Sequence, residues 1–302
     1  MSGSSRRDFI RATAATAAAA GLSRQAVSEE QDIESKRDIR YALKLGMIQE
    51  GDTLLDKFRI AREAGFDGVE LDSPGMAPVQ EVRDACSTTG IVIPGVVGSF
   101  HWKDQLAHPE ALIRERGEKA LAQAMQDCRA VGGKTVLLVP AVVGPEVSYD
   151  EAWERSTAAI RRALPMAQEL GVSIAIENVW NNFLLSPLEA ARYVDQFESP
   201  NVGWYFDVGN IVAYGWPSQW ARILGPRILR LDVKEYSREK LNNEGRWAGF
   251  GVSIGEGDCQ WKETMAALDE VGYTGWASAE VGGGDAARLS EIAQRMKRVL
   301  NS

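Results

Sequence analysis

Val202-Gly-Trp-Tyr-Phe-Asp-Val-Gly-Asn210 decides how this sequence is read. It is a strand-like apolar run that delivers a carboxylate, Asp207, at its end and then stops on glycine. Three other segments share that posture. Ser173-Ile-Ala-Ile-Glu-Asn178 ends in Glu177, Ile228-Leu-Arg-Leu-Asp-Val-Lys-Glu235 carries Asp232 and Lys234, and Gly275-Trp-Ala-Ser-Ala-Glu280 ends in Glu280. Each precedes a helix-like segment, which predicts one site assembled at the C-terminal rim of a parallel barrel.

Working outward, the chain from Tyr41 reads as a repeat of strand, loop and helix. The remaining strands are expected at Tyr41–Ile48, Gly68–Ser73, Ile91–Ser99 and Thr135–Val143. Helices are expected at about 53–64, 78–89, 109–131, 149–170, 186–197, 217–224, 261–271 and 285–300. Several stop on glycine, as at Gly65, Gly90, Gly132 and Gly171. Eight units with short, nearly continuous apolar strands predict a single (β/α)8 barrel over residues 41–302 rather than an open doubly wound sheet. Gly282-Gly-Gly284 lacks the spaced glycines of a dinucleotide turn, leaving only an anion-binding helix start as its functional reading. Residues 237–260 form the longest excursion, on the rim that carries the carboxylates, and are expected to act as a lid.

A net charge of −8 provides no basic surface for a phosphate backbone, so nucleic acid is not expected as a partner. Three dispersed cysteines form no paired framework, and His101 and His108 alone cannot build a histidine-rich zinc cluster. Residues 1–40 differ in character. Ser5-Arg-Arg-Asp-Phe-Ile10, followed by the alanine-rich run Ala12–Leu22, has the form of a twin-arginine export signal, with a polar linker after it. The expectation is a periplasmic protein, exported folded, with no membrane anchor once the signal is cleaved.

Side chains two apart on a strand share a face. On the seventh strand Leu231 and Val233 must meet the helices, so Arg230, Asp232 and Lys234 point into the barrel. The same parity turns Glu177, Asp207 and Glu280 inward. Converging carboxylates repel unless a cation joins them, and all-oxygen ligation favours Mn²⁺ or Mg²⁺ over zinc. Taken singly, each carboxylate could equally be a helix cap or a solvated loop residue, and Arg230 and Lys234 could be counterions lower in the barrel.

With these motifs in place, the sequence from Tyr41 onward resembles the sugar isomerases and epimerases with the xylose-isomerase-like TIM barrel, such as ketose 3-epimerases, hydroxypyruvate isomerases and inosose-processing enzymes. The resemblance rests on Ile-Glu-Asn at Glu177, Phe-Asp-Val-Gly-Asn at Asp207, Leu-Asp-Val-Lys-Glu at Asp232, Gly-Glu-Gly-Asp at 255–258 and Ala-Glu at Glu280. It implies a metal held by Glu177, Asp207, Asp232 and Glu280, with Glu177 and Glu280 also moving protons. Two positions depart from the family pattern: Asp232 and Asn210 stand where histidines are usual, making the site more anionic and removing a proton carrier near the substrate. Arg238 falls at the spacing of a substrate-binding arginine.

The implied enzyme is an isomerase of carbohydrate metabolism that transfers a proton beside the carbonyl of a ketose or keto-sugar through a metal-stabilised enediolate. A keto-sugar or keto-glycoside lyase or dehydratase would begin with the same proton abstraction, and a non-catalytic exported sugar-binding barrel is the third reading. Substrate contacts are expected from Arg238, Lys234, Asn210, His101, Trp102 and Glu70, although His101 also reads as a packed loop residue and Glu70 as a structural one. Trp102, Trp180, Trp216 and Trp247 fall in loops on one rim, suited either to sugar rings or to packing one another. Barrels of this kind often pair, but no interface is legible.

Overall fold

Eight parallel strands close into a ring in the order of the chain, each hydrogen-bonded to the next and β8 back to β1. The computed structural model describes residues 37–302. The twin-arginine segment expected in the first 36 residues lies outside them.

The strands are β1 (Ile39–Lys44), β2 (Gly68–Ser73), β3 (Gly95–Gly98), β4 (Thr135–Leu138), β5 (Ser173–Glu177), β6 (Val202–Asp207), β7 (Ile228–Val233) and β8 (Gly275–Ala279). The helices are α1 (Leu54–Glu63), α2 (Val79–Thr89), α3 (Ala111–Ala130), α4 (Tyr149–Leu170), α5 (Pro187–Asp195), α6 (Val208–Val212), α7 (Pro217–Leu224), α8 (Arg238–Glu244), α9 (Trp261–Glu270) and α10 (Ala286–Leu300). Among the described residues no helix is long and apolar enough to cross a membrane.

Alternation sorts the side chains as the sequence requires. Leu43, Val69, Leu71, Val136, Ile174, Ile176, Phe206 and Leu231 face outward into the main core beneath the helices. Leu137, Ala175 and Tyr205 form a separate apolar layer inside the barrel, with Val97 and Leu229 against it. The register shifts where β6 passes from Trp204 to Tyr205, opposite Leu229 on β7; beyond it Tyr205 pairs with Arg230 and Asp207 with Asp232.

The differences from expectation have local causes. β1 stops at Lys44 and the chain turns through a 3-10 segment, Leu45–Met47, because Met47 O accepts from Gly284 N and Gln49 N donates to Gly284 O, tying the turn to the loop after β8. Pairing in β3 begins only after Pro94, and in β4 it ends before Pro140, since neither proline has an N–H to donate. The run expected to continue through Val208 instead enters α6 there, with Asp207 as its N-cap. Leu112, on the first turn of α3, is exposed, whereas Leu121, Met125 and Cys128 further along the helix are buried. Residues 237–260 contain α8 and a 3-10 segment, Arg246–Phe250.

Candidate active site

The floor of the barrel is a polar layer. Arg230 donates to Glu70 Oε1 at 2.7 Å, Ser278 Oγ at 3.0 Å and Thr135 Oγ1 at 3.2 Å, and Tyr205 OH donates to Glu70 Oε2 at 2.8 Å. Arg230 is therefore the buried counterion of Glu70. Glu70 itself lies below the cavity rather than at its edge.

One layer higher, β5 to β8 converge. Glu177, Asp207, Asp232 and Glu280 each present an oxygen within 4.8 Å of the others, the first three buried and Glu280 half-buried. Two lysines stand among them. Lys44 Nζ lies 2.6 Å from Glu70 and 2.9 Å from Asp232, and Lys234 Nζ lies 2.8 Å from Asp207 and 3.2 Å from Glu280.

Proximity does not satisfy these oxygens. The lysine approaches to Asp207 Oδ2, Asp232 Oδ1 and Glu280 Oε2 lack hydrogen-bond geometry, and Asp232 Oδ2 also has no donor, leaving all four atoms buried and unpartnered. Burial pushes the carboxyls of Glu177 and Asp232 well above the usual range, and the charge of Glu280 adds to both shifts. Burial acts on Glu280 in the same direction, but Lys234 and Lys44 outweigh it and hold that carboxylate at about 2. Burial also works against the charge on both lysines, yet the surrounding carboxylates keep them well above their ordinary range. Four carboxylate oxygens within 4.8 Å of one another, four groups that can carry negative charge beside two lysines, fit a divalent cation, and the all-oxygen set fits a hard one.

The positions of these groups follow from local structure. Asp207 Oδ1 accepts from Asn210 N at 2.8 Å as the cap of α6, which leaves Oδ2 for the cavity. Asn178, immediately after Glu177, accepts from Asp207 N and donates to Asp207 O, clamping β6 to β5. A side chain at Gly209 would place its Cβ 2.5 Å from Lys234 Cβ, so glycine there is what lets α6 lie against β7. Asn210 donates to Asn178 O and accepts at its own carbonyl from Trp180 Nε1 at 2.9 Å, fixing the indole at the cavity wall.

The cavity above the carboxylates measures about 820 Å³, and its lining includes Glu177, Lys234, Glu280, Asn210, His101 and Trp102. Arg238 does not reach it: the guanidinium donates to Val212 O and Gly215 O and lies 5.0 Å over Trp216, away from the lining. Trp216 is likewise outside the cavity, whereas Trp180 and Trp247 belong to it.

Three residues were missed at the level of sequence. Lys44 and Asp72 line the cavity, and the same alternation that turned Glu177 inward would have found them, through Ala42 and Lys44 on β1 and through Glu70 and Asp72 on β2. Glu235 accepts from Gly255 N, Cys259 N and Trp261 Nε1 and so fastens the loop between β7 and α9. No local pattern marks that role, because its partners lie 20 to 26 residues away.

Gly282-Gly-Gly284 is not an anion cradle. Asp285 and Glu50 already accept the first N–H groups of α10, from Arg288 and Ala286, and a Cβ at Gly283 would meet Met47 O at 2.0 Å. The triplet is a close-packed seam between the loops after β8 and β1.

His101 is buried, and its Nδ1 accepts from Val139 N at 3.3 Å. Burial lowers its pKa to about 4. The unfolded chain therefore binds a proton near pH 6.5 that the folded protein refuses until about 4. Stability associated with His101 should be complete above about 6.5 and fall by up to ~3 kcal/mol as pH drops toward 4. An NMR titration of the imidazole should show its midpoint near 4, and a midpoint between 6 and 7 would contradict this placement.

Residues 58–300 match the Xylose isomerase-like TIM barrel family. Among curated proteins, L-ribulose-5-phosphate 3-epimerase UlaE of Salmonella paratyphi C and of Salmonella typhi are each 24% identical over 237 residues, covering 74% of this chain and 81% of the relative. Among solved structures, an L-ribulose 3-epimerase superposes with a TM-score of 0.71 at 15% identity, covering 87% of this chain and 94% of that one. The 3-keto-D-glucoside 4-epimerase YcjR from E. coli gives 0.72 at 16% identity, covering 86% and 98%. The IOLI protein, solved with a bound zinc atom, gives 0.69 at 18% identity, covering 87% and 98%. The match extends over most of the barrel and includes all four strands that bear the carboxylates, and the chain belongs to the xylose isomerase-like TIM barrel family.

Proposed function

We propose that the protein is a divalent-cation-dependent sugar epimerase or isomerase acting at the carbon beside the carbonyl of a ketose or keto-sugar. The observation that carries this reading is the gathering of Glu177 and Glu280, from β5 and β8 and on the cavity lining, with the buried Asp207 and Asp232, all within 4.8 Å of one another. The epimerase activities of the curated relatives support it.

Glu177, Asp207, Asp232 and Glu280 would hold the cation, which supplies charge stabilisation to the substrate oxygens as the proton leaves. Glu177 and Glu280 stand on separate strands, so one can remove the proton from carbon and the other return it to the opposite face, inverting the centre. Lys234, between Asp207 and Glu280 on the cavity lining, would balance part of their charge. Asn210 cannot carry a proton, which leaves the two glutamates as the exchanging groups. The oxygen-only donor set supports Mn²⁺ or Mg²⁺ as the cation. The paired arginines at Arg6 and Arg7 and the alanine run support export by the twin-arginine route, which carries folded proteins and would let the cation be bound before transport.

Calorimetric titration of the metal-stripped protein with Mn²⁺ should show one site, with that heat lost in an Asp207→Asn, Glu280→Gln double variant. Incubating ketoses with the Mn²⁺ protein in heavy water should then exchange one carbon-bound proton and yield an epimer. An elimination product would instead identify a lyase, and the absence of Mn²⁺ binding by the wild type would remove the mechanism.

A further inference from the structure

The mouth of the cavity has a chemistry that its floor does not require. Trp102, in the loop after β3, and Trp247, in the loop after β7, are 54% and 74% exposed, yet both line the cavity. In a closed ring of eight strands β3 and β7 stand opposite one another, and the loops that follow them each bring one indole to the cavity. Neither is a loose surface residue. Trp247 packs at 5.0 Å on Trp180, which is anchored through Nε1 to Asn210 O and packs at 4.9 Å on Phe250. Trp102 meets His101 edge-on at 5.2 Å. The 3-10 segment that presents Trp247 is itself pinned, because Tyr236 OH donates to Arg246 O at 2.7 Å and Ser237 N to Gly249 O at 2.8 Å.

Charge at the cavity is committed elsewhere. The cationic side chains of its lining are Lys44 and Lys234, each already lying against two carboxylates. Arg238 is turned onto backbone carbonyls, and the Arg246 guanidinium stacks at 4.1 Å on Trp180. Asp72, Glu235 and Glu280 add negative charge to the lining. A phosphate carried into this cavity would lose water and find, among the side chains that line it, no cation that is not already beside two carboxylates. The volume of about 820 Å³ is that of a site for a drug-sized ligand, several times a single hexose.

We infer that the substrate is an uncharged ketose or keto-sugar bearing a second ring, a disaccharide or glycoside, whose outer ring lies against the exposed indoles of Trp102 and Trp247 while the reacting ring reaches the carboxylates. The inference rests on the proposed reaction only for which end of the sugar goes to the floor. The apolar faces of a pyranose suit such aromatic planes, whose burial by the ligand removes exposed indole surface from water.

The test compares affinities in the Mn²⁺-loaded full chain by calorimetry, using D-fructose, two keto-disaccharides joined at different positions (isomaltulose and lactulose), and D-fructose 6-phosphate. At least one disaccharide should bind about 10-fold or more tightly than fructose, and the ratio should fall toward one in Trp247→Ala and in Trp102→Ala. Because these indoles are largely exposed, truncating them leaves the core intact, and a melting curve checks this. The inference is overturned if neither disaccharide exceeds fructose, if the ratio survives both substitutions, or if the phosphorylated sugar binds most tightly. Proton exchange in heavy water, followed on the same ligands, addresses the reaction separately. Its absence would remove the epimerase reading while the affinity ratios still decide the two-ring site.

Discussion

Glutamine in place of Glu280 should reduce exchange of the substrate's carbon-bound proton with solvent by roughly 10²- to 10⁴-fold, the usual scale for losing a positioned acid or base. The substitution keeps the shape and removes the charge. Glu280 is half-buried and lies just past the end of β8, its closest cationic partner being Lys234 at 3.2 Å, so the melting temperature should change little. Glu177→Gln should have an effect of the same order on exchange. Two readings of a loss can be separated by titrating Mn²⁺ into each variant. Retained binding with lost exchange marks a proton carrier, whereas loss of both marks a residue needed mainly as a ligand. Full turnover in Glu280→Gln would refute the two-glutamate scheme.

The second large effect concerns the floor. Arg230→Met should destabilise the fold by about 3–5 kcal/mol, because it leaves the buried Glu70 carboxylate without its main counterion. Lys44 remains beside Glu70 but is shared with Asp232, so rescue is partial. At ~2–4 °C per kcal/mol for a domain of this size, the melting temperature should fall by roughly 10 °C. The exposed pair Arg222 and Glu270 is the control, and Arg222→Met should leave the melting temperature nearly unchanged. Equal melting temperatures for the two variants would show that the Glu70 layer is not a stabilising unit.

Much of this was legible in the sequence, for a physical reason. A parallel strand buried on both faces must be apolar, so a charged residue at its end is conspicuous and strand parity states which way it points. Glu177, Asp207, Asp232 and Glu280 were found in that way, and the structure brings them together. Lys44 and Asp72 obey the same parity, on β1 and β2. What parity cannot give is the path of a side chain after a strand has ended. Arg238 has the spacing of a substrate contact, but Ser237 caps α8 and starts a helix there, sending the guanidinium to the carbonyls of Val212 and Gly215. Trp216 lies beneath it for the same reason. Glu235 is the reverse case, a carboxylate in a conspicuous motif whose partners are brought to it by the return of a long loop.

Asp207 is joined to the aromatic wall by two hydrogen bonds, from Asn210 N to its own Oδ1 and from Trp180 Nε1 to Asn210 O. A positive charge arriving beside Asp207 therefore alters the electric field along a hydrogen-bonded path that ends on an indole ring. With nine tryptophans in the chain, the difference in emission between the protein and a Trp180→Phe variant thus offers a label-free optical gauge of what occupies the floor of the barrel.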